Sequence, residues 1–426
     1  MRNARVWAGL LGLQKTVVER VELDEQGVIV AAVRPARGQR RRCGICRRRC
    51  PGYDQGTGRR RWRALDLGTT RAYVEADAPR VSCPQHGVVV AAVPWARHGA
   101  GHTLGFDQTV AWLATVCAKT AVTGLLRIAW RTVGAVVARV WADTQAQIDL
   151  LDGLKRIGID EISYRKGHKY LTVVVDHDTG RLVWAAPGAD KAALAAFFTQ
   201  LGPERCARIT HISADAAGWI REAVTEHCPQ AIRCADPFHI VAWATEALDE
   251  QRRTIWNQTR GAARGTTRAN NRNHRLRGEV KTLKHARWAL WKNPDDLTEH
   301  QHEQLAWIAK THPTLHRAWA LKEGLRTVFA LAHHDPDQAI DALDRWISWA
   351  RRCRLPQFVK LARSITRDRD PIIAAITNRL SNALIESTNT KIRLIIRRAF
   401  GFHTPHAIIA LAMLTLGGHR PELPDR

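Results

Sequence analysis

The sequence predicts an α+β protein of several domains: a mixed sheet with helices on both faces, interrupted by an all-helical insertion and preceded by a small β unit and a helical pair. Three observations predict it. The chain has 426 residues, more than one ordinary core accommodates. Between residues 151 and 255, runs with strand character alternate with helical ones. From 256 to 370 the periodicity is helical throughout.

Charge narrows the choice of partner. Lys and Arg total 65 against 40 Asp and Glu, a formal charge of +25 distributed along the whole chain, which suits a long polyanion better than a small acidic ligand. Double-stranded DNA is the expected partner. No apolar run approaches the roughly 20 residues that a bilayer span needs, and the start Met-Arg-Asn-Ala-Arg leads into no secretory segment. A cytoplasmic, nucleoid-associated protein with no membrane partner is expected.

Residues 1–100 are expected to form a β unit that carries a zinc ribbon. Val17, Val18 and Val21, then Val28, Ile29 and Val30, mark short strands within the first ~35 residues. The nine cysteines are unevenly placed, with Cys43, Cys46, Cys50 and Cys83 in one arginine-rich segment. Cys43 and Cys46 form a CxxC, and Cys83 with His86 forms a CxxH. Two such knuckles separated by a strand-bearing insert bring four ligands around a structural Zn²⁺. Cys50 is a rival for one of the four positions.

Residues 101–150 turn helical. FDQTVAWLATVCAKT and AVTGLLRIAWRTVGAVVARVWAD place apolar residues three and four apart, with Gly124 between helical stretches and Thr132 near the start of the last one. The expectation is a helix-turn-helix whose recognition helix runs from Trp130 to Trp141, with Arg127, Arg131 and Arg139 offered to DNA. An ordinary helical hairpin is the alternative.

The segment 151–255 carries the chemistry. RIGIDEISY, KYLTVVVDHDTG and RLVWAAPG read as a three-stranded meander. A helix at KAALAAFFTQLG, a strand at ARITHISAD, a helix at AGWIREAVTEHC, a strand at AIRCADPF and a helix at HIVAWATEALDEQRR follow. This is the ribonuclease-H-like order, in which strands one and four lie side by side. It selects Asp160 on the first strand and Asp215 at the end of the fourth as acids facing one pocket. Carboxylates that bridge two metals a few Å apart stabilise the attacking and leaving oxygens of phosphoryl transfer, and hard oxygen ligands suit two Mg²⁺ (or Mn²⁺) per site. Glu161 is the rival of Asp160, although strand alternation turns neighbours to opposite faces. Asp236 is the rival of Asp215, and with His239 it is expected at least to support the metal or the DNA backbone. Asp176 and Asp178 read as turn residues beside Gly180.

The third acid is expected from a later helix. In residues 371–426, SNALIESTNTKIRLIIRRAFGF offers Glu386, with Asn382 and Asn389 on the same helical face and Lys391 and Arg393 as supporting residues. A salt-bridge role is the bland alternative for Glu386. The intervening residues 256–370 begin densely basic, and Arg260, Arg264 and Arg268 are candidate contacts to DNA phosphates. A solvated linker from Gly261 to Arg277 is the alternative. Asn293-Pro294 marks a boundary before a helix at LTEHQHEQLAWIAK. Trp256, Trp288, Trp291, Trp307, Trp319, Trp346 and Trp349 lie among Leu, Ile and Ala at helical spacing, so packing is expected in preference to stacking on bases.

Taken together, the CxxC ribbon, the helix-turn-helix, "GIDEISYRKGHKYLTVVVD", "ISADAAGWIREAVTEHCPQAIRCADPFHIV" and "LSNALIESTNTKIRLIIRRAFGF" resemble the DDE transposases of the ISL-three insertion-sequence family over nearly the whole chain. The resemblance implies cut-and-join chemistry at terminal inverted repeats, an acidic triad at Asp160, Asp215 and Glu386, a helical insertion between the second and third acids, and a homodimer on DNA. The block from Asp236 to His239 resembles the position where Mutator-type enzymes carry Cys or Asp followed by His. Where the family often has a second cysteine pair, this chain has Cys83 and His86, which implies a Cys₃His site. A DNA-binding regulator with a vestigial catalytic domain, and a nuclease that cuts without joining, remain as other readings.

Overall fold

The computed structural model describes residues 2–215, 217–264, 271–402 and 404–424. It divides into two compact units, one of residues 1–150, 181–186 and 388–426, the other of 151–180 and 187–387.

The first unit opens on helix α1 (Arg2–Leu10) where short strands were expected. Ala4, Trp7, Ala8 and Leu11 recur three and four apart, and they pack against a core that includes Trp62 and Trp95. Those two indoles meet edge to face at 5.6 Å. Strands β1 (Thr16–Leu23) and β2 (Ile29–Pro35) pair antiparallel. After β3 (Gly52–Asp54) come β4 (Arg59–Leu67) and β5 (Thr70–Asp77), and the larger sheet runs β1-β2-β5-β4 with β2 and β5 parallel. Ala72 and Val74, two apart on β5, are both fully buried, as alternation requires. Strands β6 (Arg80–Cys83) and β7 (Gly87–Val90) form a separate small sheet in the order β3-β6-β7.

Three helices follow, α2 (Leu104–Val116), α3 (Lys119–Leu126) and α4 (Trp130–Gln145). The Thr103 side chain caps α2 by accepting from the Phe106 N–H. Helices α3 and α4 meet at 101°, inside the roughly 90–120° of a helix-turn-helix. Gly124 lies within α3, and the break comes later, at Arg127, whose φ of 52° is the left-handed stop that ends the helix. No single described helix is long and apolar enough to cross a membrane.

In the second unit β8 (Arg156–Arg165) and β9 (Lys169–Asp176) form an antiparallel hairpin. The chain continues through β10 (Leu182–Pro187), α5 (Lys191–Leu201), α6 (Pro203–Cys206), β11 (His211–Ala214), α7 (Gly218–His227) and β12 (Ile232–Ala235). β10 belongs to the first unit, and within the second the strand order is β9-β8-β11-β12, with β11 parallel to both β8 and β12. Strand one of this set therefore borders strand four. Ile157, Ile159, Val173, Val174 and Val175 are fully buried, the near-continuous apolar pattern of a sheet covered on both faces.

Helix α8 (Pro237–Arg264) starts directly after Asp236. It passes without a break through residue 255, where the boundary between core and insertion was expected, because Ile240, Ala244, Leu248 and Ile255 form one apolar stripe. The insertion continues with α9 (Asn271–His285), α10 (Arg287–Trp291), α11 (Glu299–Thr311), α12 (Pro313–Ala332), α13 (Pro336–Arg352), α14 (Pro356–Arg367) and α15 (Arg369–Asn378). Helix α11 follows Asn293-Pro294 with a capping box between Thr298 and Gln301. Trp256, Trp291, Trp307 and Trp319 pack against the helical core, and the buried Trp346 donates from Nε1 to the Leu321 carbonyl at 2.7 Å. A Cβ at Gly324 would press on the Trp346 and Trp349 rings at 3.3 Å, so glycine lets α12 lie against these indoles. Trp288 and Trp349 remain exposed. The chain closes with α16 (Ala383–Arg398) and α17 (Pro405–Leu416), the latter packed on α2 and α4 in the first unit.

Candidate active site and metal centres

Strand register brings three acids to one level of the sheet. Ile159 pairs with Ala214 across β8 and β11, and Ala214 pairs with Ala235 across β11 and β12. One residue farther along each strand stand Asp160, Asp215 and Asp236. Neighbouring strands lie roughly 4.8 Å apart, so Asp215 is one step from Asp160 and Asp236 is two. Glu386 is delivered by the first turn of α16, where its N–H donates to the Asn382 carbonyl at 2.8 Å.

The two rivals for the second acid stand in different surroundings. Burial pushes the Asp160 carboxyl up to about 6, and the Asp215 and Glu386 charges add to the effect, against the Glu161 N–H bond and His239. Asp236 stands one strand farther from Asp160. It is itself buried, with Oδ2 accepting from His239 Nδ1 at 2.6 Å and Oδ1 accepting from the N–H groups of Phe238 at 3.3 Å and Asn382 at 3.4 Å. Asp236 thus ties the start of α8 to the turn before α16. Its hydrogen bond raises His239 to about 9, and His239 Nε2 lies 3.7 Å from Asp215 Oδ2. The imidazolium is a counter-charge between the two aspartates.

The geometry also revises the view of neighbouring residues. Glu161 was expected to face away from Asp160, yet burial and then Asp160 and Asp215 raise its carboxyl, and its Oε2 has no hydrogen-bond partner among the described residues. Asp176 accepts from the Asp178 N–H and Asp178 pairs with Arg156, the turn roles expected of them. Asn382 is fully buried, and both atoms of its amide lack partners among the described residues. Asn389 is buried as well, whereas Lys391 and Arg393 are exposed. Only Asp236, His239 and Glu386 form an acid-site group whose donor atoms all lie within 4.8 Å of one another among the described residues.

Burial, with the Asp215 and Glu386 charges adding to it, raises the Asp160 carboxyl to about 6, as befits a site short of positive charge. Carboxylate oxygens are hard donors of the kind that suit Mg²⁺ or Mn²⁺; those that converge here with His239 are on Asp236 and Glu386, and His239 supplies an opposing charge in the protein alone.

The ribbon presents a different donor set. Cys43, Cys46, Cys83 and His86 bring their ligand atoms within 4.8 Å of one another. Cys46 Sγ to Cys83 Sγ is 3.8 Å, and Nδ1 of His86 lies 3.7 Å from Cys43 Sγ and 3.6 Å from Cys83 Sγ. Tetrahedral zinc with Zn–S near 2.3 Å and Zn–N near 2.0 Å demands edges of about 3.8 Å and about 3.6 Å. The fit is close. The Ile45 N–H donates to Cys43 Sγ at 3.4 Å, while a Cβ at Gly44 would strike His98 at 2.2 Å and the Val90 carbonyl at 2.5 Å, so the knuckle requires glycine there. Cys50 stands outside the group, its thiol donating to the Arg48 carbonyl at 3.4 Å.

The arginines proposed for DNA part company. Arg139 pairs with the fully buried Asp107, which also holds Arg97, and Arg127 pairs with Asp66. Arg131 is exposed on α4 and has no ion pair among the described residues. Arg260 stacks on Trp256, its guanidinium 4.3 Å from the ring centroid. Arg264 ends α8, and Arg268 lies outside the described residues.

Known proteins match along the whole length. A family model described as a transposase matches residues 157–412, one described as the helix-turn-helix domain of transposase family ISL3 matches 91–141, and one described as the zinc-finger of transposases IS204, IS1001, IS1096 and IS1165 matches 39–86. The transposase for insertion sequence element IS1557 of Mycobacterium tuberculosis is 60% identical over 439 residues, covering 100% of this chain and 98% of that protein. The transposase for insertion sequence element IS1001 of Bordetella parapertussis is 26% identical over 406 residues, covering 94% and 95%.

Proposed function

The chain belongs to the ISL3 family of insertion-sequence transposases, and from that premise we propose that it cuts and joins DNA at the terminal inverted repeats of its own element, with Asp160, Asp215 and Glu386 as the catalytic acids. The observation that carries the assignment is geometric: β8 and β11 are parallel neighbours, so Asp160 and Asp215 stand side by side one residue beyond the Ile159–Ala214 pair, and Glu386 lies in the first turn of α16. The core is of ribonuclease-H-like type in this reading, supported by a sheet in which the first strand of the set lies between its hairpin partner and the fourth. Two Mg²⁺ or Mn²⁺ ions held there would stabilise the attacking and leaving oxygens of an in-line displacement at phosphorus.

The remaining roles belong to the chain's own groups. Asp236 orients His239, and His239 faces Asp215 with Nε2 at 3.7 Å. Because Asp236 also accepts from the Asn382 N–H, one buried carboxylate sets the position of the turn that carries Glu386. Zn²⁺ held by Cys43, Cys46, Cys83 and His86 stabilises the ribbon, α4 presents Arg131 to the phosphate backbone, and Arg139 braces the helices from behind. Two copies are needed to hold two element ends, in the cytoplasm where the DNA lies.

The test is strand transfer by purified protein in Mg²⁺ or Mn²⁺ on DNA that carries the element's own ends. Asp160→Ala, Asp215→Ala and Glu386→Ala are expected to bind the ends and form no joined product. Full strand transfer by Asp215→Ala overturns the second acid, and cleavage by the wild type without joining overturns transposition in favour of a nuclease.

A further inference from the structure

Next to the acids, within the second unit, one side-chain hydrogen bond ties three strands together. His177 follows β9, and its N–H donates to the carbonyl of Arg156 at the start of β8 at 2.9 Å. Its ring reaches past β8 to β11, where Nε2 lies 2.8 Å from Oγ of the fully buried Ser213. The strand that it crosses has glycine at that level, with Gly158 paired to Ser213 on one side and to Val175 on the other. A Cβ at Gly158 would meet Val175 Cγ2 at 2.9 Å, His177 Nε2 at 3.1 Å and Ser213 Oγ at 3.2 Å. Glycine weakens a strand interior, and the backbone of Gly158 lies outside the left-handed region that would call for it. What the glycine provides is room for the imidazole.

Side chains alternate along a strand, so Gly158 shares a face of β8 with Asp160, and Ser213 shares that face with Asp215. Both acids therefore stand one pleat beyond the hydrogen bond. Strand β11 has only four residues, and its pairing with β8 ends at Ala214 and Ile159. The last paired rung is thus followed at once by two carboxylates, and the Asp215 charge adds to the burial that raises Asp160. Repulsion between them pushes the strand ends apart, and a tie on the same side of the sheet opposes it. Burial lowers the His177 pKa below its ordinary 6.5, and the Arg156 charge adds to this. The imidazole is therefore neutral at pH 7 and brings no charge of its own toward the acids.

We infer that His177 and Ser213 are positioning residues, whose hydrogen bond across Gly158 fixes the separation of Asp160 and Asp215 and so sets their affinity for a divalent ion. This rests on the functional reading above and deepens it. Ser213 is fully buried, so the pair acts through the strands that carry the acids, as outer partners do at metal sites.

The experiment titrates Mn²⁺ into the full chain, its ribbon loaded with zinc, without DNA, and follows the melting temperature, which rises as the folded state binds the ion. Asp215→Ala is expected to lose the rise. Ser213→Ala removes one oxygen and His177→Phe keeps a ring, and each is expected to need roughly 10-fold more Mn²⁺ for half of the rise. Because the two residues act through one bond, the double variant should need no more than either single variant. In strand transfer the Mn²⁺ concentration for half-maximal rate should move by the same factor, with the maximal rate close to that of the wild type. A merely structural loss would lower the melting temperature without ion and leave the half-saturating concentration where it was. An unmoved midpoint in either single variant, or a double variant shifted by the product of the two, overturns the proposal while Asp215→Ala still fails to respond. A wild-type response by Asp215→Ala overturns the assignment of the acids and the proposal with it.

Discussion

The ribbon and the acid site are both clusters of metal-binding side chains, and they are built on opposite principles. In the ribbon the donor atoms already stand at tetrahedral spacing, with a backbone N–H on one sulfur and a glycine that admits the close approach of His98. In the acid site burial and neighbouring carboxylates raise Asp160 to about 6, and His239 bridges two aspartates. The first arrangement serves folding. The second costs folding, and the cost is the signature of a site kept for chemistry.

The largest effect should come from the ribbon. Cys43→Ser with Cys46→Ser should remove one zinc per chain by metal analysis and unfold residues 39–86 to proteolysis, since metal binding and folding are coupled on the order of 10–16 kcal/mol in small zinc domains. Retention of zinc by the double variant would break the contrast from that side.

Asp160→Asn should do the opposite to stability. Its folded carboxyl keeps the proton to about 6 in place of 3.8, so stability falls as pH rises between those values and stays lower above them. The variant, which cannot ionise, should melt higher than wild type at pH 8 and equally at pH 3, in calorimetry without divalent ions. Strand transfer should fall at least roughly 100-fold, the scale of a lost preorganised electrostatic group. A lower melting temperature at pH 8 would show that the acid cluster is structural.

The smallest effects distinguish two arginines on one helix. Arg131→Ala should leave the melting temperature unchanged and reduce the slope of log affinity against log salt by about 1. Arg139→Ala should lower the melting temperature, because it takes one of two guanidinium partners from the fully buried Asp107.

These regions were not equally legible in the sequence. CxxC and CxxH state their ligands by spacing, and the fourth position, open between His86 and Cys50, closes only when the hairpin of β6 and β7 is seen to turn His86 toward Cys43. Asp160 stood out as a candidate from its strand and Glu386 from its helical face, and the structure places them on β8 and in the first turn of α16. Asp215 and Asp236 look alike in sequence because each follows a short strand; in the structure Asp215 follows the strand next to β8 and Asp236 the strand beyond it. Partners remote in sequence were out of reach: nothing near Arg139 announces Asp107, and Phe238, Phe329 and Ile376 meet at one cavity from three separate helices. The helix over residues 2–10 was missed because nine residues hold too few apolar positions to set a period against the strands that follow.

The central claim, that Asp215 and not Asp236 is the second acid, is tested most directly by replacing each with a thiol. Asp215→Cys and Asp236→Cys are compared for strand transfer in Mg²⁺ and in the more thiophilic Mn²⁺. Asp215→Cys should be inactive in Mg²⁺ and regain activity in Mn²⁺, while Asp236→Cys, having lost a buried brace for His239 and Asn382, should gain nothing from the exchange. Rescue of Asp236→Cys alone would contradict the account.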